Sequence, residues 1–299
     1  MAYKLDSNLS ENQIESDVAS FLGYVTPFWS SRFRLISVNE QSFGADKLFN
    51  KFIPIYLQFK VSDGLKAVTR SELPKFNFPL QRIRRYRFDN NLNGDPILYF
   101  KLRDKAKNAE DFQHNVLYSF HKPPHQFALY VSPLTIDIDE YSDLLKMPFF
   151  ERLIIVDPFR FHPSEIYRGA VKESFGLIPF LRAHVSIPPV ETVTSSNHYY
   201  SFSKNGADVV WHRGGVKQMD DFRLSTQISR IYNLAYNNEQ LAVSKQEYHS
   251  RIPKLYTDLA IGQNNEEDAE LSILKFASDL YEHFRIRLFF LGVNEQNSR

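Results

Sequence analysis

The chain has no cysteine, so it contains no disulfide framework and no thiolate zinc site. It lacks any apolar run long enough to span a bilayer; "RLIIVDPF" and "LFFLGV" are among the longest and fall far short. The opening "MAYKLDSNLSENQIESD" lacks the apolar core of a signal peptide. There is no Gly-rich phosphate loop, no nucleophile elbow, no dinucleotide fingerprint and no HExxH, which excludes an ATPase built into the chain and the common zinc hydrolases. Internal repeats, heptads and low-complexity tracts are also missing. These absences lead to an expectation of a cytoplasmic protein with no membrane association.

What remains is the composition of a folded protein. Hydrophobic residues make up 43% of the 299 residues and aromatics 15%, enough for a large core without staples. The net charge is +1, but it is unevenly spread: residues 1–110 hold 17 Lys/Arg against 12 Asp/Glu, and the rest hold 19 against 23. A mildly basic front permits a polyanionic partner there.

The patterns alternate between helix and strand. "SENQIESDVASFLGY" predicts a helix with Ser10 as N-cap and Gln13 as its capping-box partner; Ile14, Val18 and Leu22 form its apolar stripe, flanked by Glu11 and Glu15. Strands are expected in "RFRLISVN", "FGADKLF", "FIPIYLQFKVS", "PILYFKLR", "QFALYVSPL", "RLIIVDPF", "AHVSIPP" and "HYYSFSK". Helices are expected in "NAEDFQHNVLYSFH" and "DIDEYSDLLKM". From about residue 219 the pattern becomes helical, in two long stretches joined by the loop "GQNNEED". The expected division is therefore a mixed α/β unit, 1–218, and a helical C-terminal region, 219–299.

In "IYLQFKVS" strand alternation puts Ile55, Leu57, Phe59 and Val61 on one face, and Tyr56, Gln58, Lys60 and Ser62 on the other. A turn within "KLFNKFIPIYL" would bring Asp46 beside Gln58 as the next strand over, with Gly44 allowing close approach. A carboxylate and a neighbouring oxygen hold a divalent cation that polarises a phosphate and acidifies bound water; an ammonium beside them stabilises charge developing on the phosphate. A carboxylate from the preceding helix, Glu15 or Glu11, can join them.

This arrangement resembles the PD-(D/E)xK nuclease superfamily, with its restriction-endonuclease-like fold, in the branch where Gln replaces the second acid. The residues that match are Glu15, Asp46 in "FGAD", and Gln58 and Lys60 in "LQFK", over roughly residues 10–65. The resemblance implies an α/β fold with a mixed sheet flanked by helices. It implies Asp46, Gln58 and the Phe59 carbonyl as ligands of Mg²⁺ or Mn²⁺, Lys60 as the catalytic lysine and Glu15 as a helper carboxylate. A neutral Gln leaves one negative charge fewer, so a hard cation binds less tightly than to an Asp–Glu pair. The implied activity is hydrolysis of DNA phosphodiesters, in the setting of Mrr-type restriction or antiphage defence, beside an ATPase, helicase or sensor subunit. The acidic tail would be the partner or homo-oligomer interface.

Arg82, Arg84, Arg85 and Arg87 crowd "QRIRRYRFD" around Tyr86, a composition suited to phosphate backbones and equally to a solvated face paired with acids. His114, His162, His184 and His198 are expected to be structural, and "HKPPH" cannot be helical. Two rival functions remain at this level: a silent nucleic-acid-binding subunit, and a pure interaction subunit.

Overall fold

The computed structural model describes residues 3–24, 35–37, 50–69, 78–92, 94–105, 109–145, 179–212, 215–217 and 222–293. The expected strands "FGADKLF" and "RLIIVDPF" lie outside these residues, as do Asp46 and His162.

Two sheets carry the fold. The first is antiparallel throughout and runs β1 (Lys4–Leu5), β4 (Asp63–Leu65), β5 (Ile97–Lys101), β8 (Tyr199–Ser203), β9 (Val209–Trp211) and β10 (Gly215–Lys217). The second is mixed and runs β2 (Leu35–Ser37), β12 (Arg287–Gly292), β3 (Lys51–Phe59), β6 (Phe127–Pro133) and β7 (His184–Ile187). In it β3 and β6 are parallel and the other pairs antiparallel; a short β11 (Val243–Ser244) joins the start of β3. The helices are α1 (Glu11–Tyr24), α2 (Pro79–Asp89), α3 (Gln113–Phe120), α4 (Ile138–Leu145), α5 (Pro179–Arg182), α6 (Leu224–Asn237), α7 (Lys245–Leu259) and α8 (Ala269–Phe284). The protein is thus mixed α/β, and no helix among the described residues is long and apolar enough to cross a membrane.

Alternation in β3 sets the layers. Ile53, Ile55, Leu57 and Phe59 pack with Ile14, Val18 and Leu22 of α1 and with Ile228 and Ile231 of α6. The opposite face, with Phe52 and Tyr56, joins Leu98, Phe100, Tyr200 and Phe202 of the first sheet in a continuous core between the sheets, to which α3, α7 and α8 contribute. A small third cluster seals the outer side of the first sheet with Ile83 of α2. Pro54 falls between the stretch of β3 that pairs with β11 and the stretch that pairs with β6, where a missing N–H costs no ladder bond on that edge.

The C-terminal region differs from the expectation of an appended helical unit. Its first helical stretch is broken between α6 and α7 by a short 3₁₀ turn and β11. Its second ends at Arg285, whose φ of 53° turns the chain out of the helix, and "RLFFLG" becomes β12. That strand lies between β2 and β3 with Leu288, Phe289, Phe290 and Leu291 buried, so the described part of this region, residues 222–293, contributes to the core rather than standing apart from it.

Candidate functional site

The second sheet brings Gln58 and Lys60 to the carboxyl end of β3, on the face that carries Tyr56. Lys60 donates its backbone N–H to the Val131 carbonyl at 2.9 Å, which extends the pairing with β6 by one residue. Ser62 and Ser132 then close the two chains with a 2.6 Å hydroxyl–hydroxyl bond. Both Gln58 and Lys60 are buried, at 1% and 5% exposure. The Gln58 carboxamide has no hydrogen-bond partner on either Oε1 or Nε2 among the described residues. An orphaned buried amide costs on the order of 1–3 kcal/mol, which a ligand contact would relieve.

The helix carboxylate nearest Lys60 is Glu11. Its Oε1 is 3.8 Å from Lys60 Nζ, and it sits in the first turn of α1, where a negative charge is favoured. Glu15, one turn further on, is held by the Arg287 guanidinium, whose Nε and Nη2 both reach Glu15 Oε1, while Arg287 lies over the Tyr281 ring at 3.5 Å. Between the two acids that spacing left open, the structure puts Glu11 beside the lysine and engages Glu15 with β12. Burial lowers the Lys60 pKa from the ordinary lysine value; the Glu11 carboxylate opposes the shift and Arg103 adds to it.

Lys60 and Glu11 line a cavity of about 610 Å³ between the end of β3 and the first sheet. Its other charged walls are Lys4, Asp63, Lys101 and Arg103, giving four cations against two acids. Asp63 is already engaged, with Lys4 Nζ 3.2 Å away, the Tyr99 hydroxyl at 3.4 Å and the Ser7 N–H at 3.2 Å. Lys4 is also bonded to Asp6 at 2.5 Å and Lys101 lies 3.6 Å from Asp104, so much of the cationic charge is already matched, and what remains, at Arg103, suits an anionic group such as a phosphodiester.

The turn expected within residues 47–57 is not found in its second half: Lys51–Phe59 is one extended strand, so Lys51 and Gln58 are about 23 Å apart at ~3.3 Å per residue. The antiparallel neighbour of β3 is β12. Successive strand residues turn their backbone groups to opposite edges, so the Phe59 carbonyl faces the β12 edge, past the last pair at Leu57 and Arg287. For a divalent cation the described residues supply a carboxylate (Glu11), an unpartnered carboxamide (Gln58) and that carbonyl. No group of three His, Asp or Glu suited to a metal occurs among them. The orphaned carboxamide fits a ligand position, and the set would be completed by Asp46, which lies outside the described residues.

The arginine cluster forms α2 and divides between two environments. Arg87 is fully buried, bonded to Asp208 at 2.5 Å and near Ser201 at 3.4 Å. Arg84, 5% exposed, donates to the Lys66 and Ala67 carbonyls and lies over the Tyr3 ring. Arg85 bonds Asp89 at 2.6 Å, one turn along, and Arg82 is exposed. Arg84 and Arg87 thus fasten α2 to the first sheet and are out of reach of a phosphate backbone, leaving Arg82 and Arg85 on the outside.

Of the histidines expected to be structural, the three within the described residues are buried. His114 bridges the Tyr130 hydroxyl and the Glu191 carbonyl, both at 2.7 Å, and stacks on Trp211. His184 Nδ1 bonds the Phe180 carbonyl at 2.7 Å, and His198 is buried beside Trp211. Lys4, Asp63, Lys101 and Arg103 were not singled out from sequence. No local pattern marks them, because they arrive from three separate segments and meet through the antiparallel pairing of β1, β4 and β5.

No family model matches this chain, and neither a curated protein nor a solved structure does.

Proposed function

We propose that the protein is a nuclease of the PD-(D/E)xK type, acting on DNA phosphodiesters at the cavity lined by Lys60 and Glu11, with Gln58 two residues before Lys60 on the same strand face. The observation that carries this reading is the burial of an ammonium and an unpartnered carboxamide two residues apart on one strand face, beside a cavity rich in cations. Burying a charged lysine is costly, so its position at a cavity wall points to use.

A bound Mg²⁺ or Mn²⁺, held by Gln58, the Phe59 carbonyl and Asp46, would supply Lewis-acid polarisation of the scissile phosphate. Lys60 holds its ammonium against a non-bridging phosphate oxygen, where it stabilises charge that grows in the transition state. Glu11, 3.8 Å from that ammonium, fixes its direction and accepts a hydrogen bond from water on the same side. Arg103 meets a flanking phosphate, and Lys4 and Lys101, each already beside an aspartate, add to the positive wall. The resemblance places such a nuclease in restriction or antiphage defence, working with an ATPase, helicase or sensor subunit.

A second reading, a non-cleaving nucleic-acid-binding subunit, is favoured by the excess of cations over acids in the cavity. One experiment separates the two: plasmid and single-stranded DNA incubated with Mn²⁺, Mg²⁺ or chelator, for the parent, Asp46→Ala and Lys60→Ala. Cleavage that needs the metal and falls at least about a hundredfold in both variants supports the nuclease. Salt-sensitive binding without cleavage supports the second reading. Cleavage equal to the parent in both variants removes the site assignment, and an absence of both binding and cleavage removes both readings.

A further inference from the structure

A second cavity, of about 650 Å³, is lined by β3, α3, α7 and the end of α8 and shares no lining residue with the cavity at Lys60. Its floor is aromatic: Tyr56 of β3 stacks on Phe120 of α3, with ring centroids 4.1 Å apart, and Tyr248 of α7 lies beside them. The Tyr56 and Tyr248 hydroxyls meet at 2.8 Å, and both side chains are buried, at 1% and 2% exposure. Two hydroxyls carry two protons, and their mutual bond uses one. Among the described residues the second has no acceptor, and both phenols line the cavity. Burial keeps both phenols protonated, with pKa values raised above the ordinary tyrosine value. The floor is thus apolar, narrow and aromatic, since the two rings cover each other's faces, and it offers one buried donor.

Higher up, the walls are charged. Arg251, which is paired with Glu247, and Lys254 project from α7, Lys122 from the turn before β6, and Asp258, Glu110 and Asp111 line the same space. The acids suit hydroxyl donors and the cations suit an anionic group, above a floor shaped for a planar ring bearing an acceptor.

From this arrangement we propose that the second cavity binds a nucleoside monophosphate: the base lies on the Tyr56–Phe120 floor and accepts the free phenolic proton, the ribose hydroxyls donate to Asp258 or Glu110, and the phosphate meets Arg251 and Lys254. The size is appropriate, since sites for small molecules span roughly 300–1,000 Å³ and are mostly apolar with a few placed polar groups. The site is independent of the nuclease reading. It is linked to the Lys60 cavity through β3, since Tyr56 and Lys60 share a strand face about 13 Å apart.

The test is calorimetric titration of the full chain with AMP, with inorganic phosphate and ribose 5-phosphate as controls. AMP should bind, and neither control should match it. Ser119 lines the cavity from an exposed position, so Ser119→Trp blocks the space without disturbing the core and should abolish binding. The double change Tyr56→Phe with Tyr248→Phe removes both hydroxyls while keeping shape, which leaves packing nearly neutral, and should weaken AMP about fivefold. Lys60→Ala should leave AMP affinity unchanged. The proposal fails if AMP at about 1 mM gives no binding, if phosphate alone binds as well, or if Ser119→Trp binds like the parent. Far-ultraviolet circular dichroism and the urea unfolding midpoint confirm that each variant keeps the parent fold.

Discussion

Two buried cations, Lys60 and Arg87, sit in opposite circumstances. Arg87 is matched by Asp208 deep under α2. Truncating it would leave a half-buried carboxylate alone, so Arg87→Ala should cost about 3–5 kcal/mol in urea unfolding. Lys60 has a longer, partly solvated contact with Glu11 and a pKa lowered by burial. Lys60→Met should therefore stabilise the fold at pH 7 by roughly 1–2 kcal/mol while removing the proposed cleavage. The sign follows from linkage: a lysine with a folded pKa below 10.5 opposes folding while it is charged in both states, and that opposition fades as pH rises through the folded pKa towards 10.5. The gain from Lys60→Met should shrink over the same window. A loss of stability at pH 7 would mean that the Glu11 contact outweighs the burial cost. Arg82, exposed on α2, should affect only polyanion binding: Arg82→Ala should leave the unfolding midpoint in place and reduce the salt slope of DNA binding by about one.

At the level of elements, how well the sequence could be read tracked the length of each periodic signal. In β3 the two faces from Ile55 to Phe59 are read from alternation, whereas its first half was expected to hold a turn; the stripe of α1 at Ile14, Val18 and Leu22 is entirely buried. β12 was not legible, because "LFFLG" is apolar at consecutive positions and follows a helix with no glycine or proline to stop it; the stop is Arg285 in the left-handed region. The break before α7 did carry a signal in Ser244 and Glu247: the Ser244 hydroxyl accepts the Glu247 N–H at 3.1 Å. Gln13, expected to cap α1, instead donates to Asp17 at 2.8 Å. For the candidate site, the strand pair Gln58 and Lys60 was readable and its walls were not, since Lys4, Asp63 and Arg103 depend on which strands become neighbours. Two predictions belong here. Ser244→Ala should cost about 1 kcal/mol through loss of the α7 cap. A chain ending at Phe284 should lose cooperative unfolding altogether, because the second sheet would lose a strand paired on both edges; a truncated chain that melts cooperatively would show β12 to be dispensable.

For the molecule as a whole, acid stability rests on histidines buried without charge. Burial holds His114 and His184 down to about 4 and His212 to about 3, against an ordinary value of 6.5. Below pH 6.5 the unfolded chain takes up protons that the folded chain refuses, so stability falls as pH drops from 6.5 towards 4, at up to about 1.4 kcal/mol per unit for each group. Thermal midpoints measured across that interval should decline steadily. Replacing His184 by Gln should flatten the decline by about one proton, and an unchanged slope would show that this ring does not titrate on unfolding.

The seating of β12 also has a temporal consequence. Leu57 waits for Arg287, about 230 residues later, before that edge of β3 is closed. During synthesis the apolar ribbon Phe52–Leu57 emerges long before its neighbour and stays available to other chains for as long as the ribosome takes to deliver it. Such distant pairing slows folding and favours chaperone capture of nascent protein.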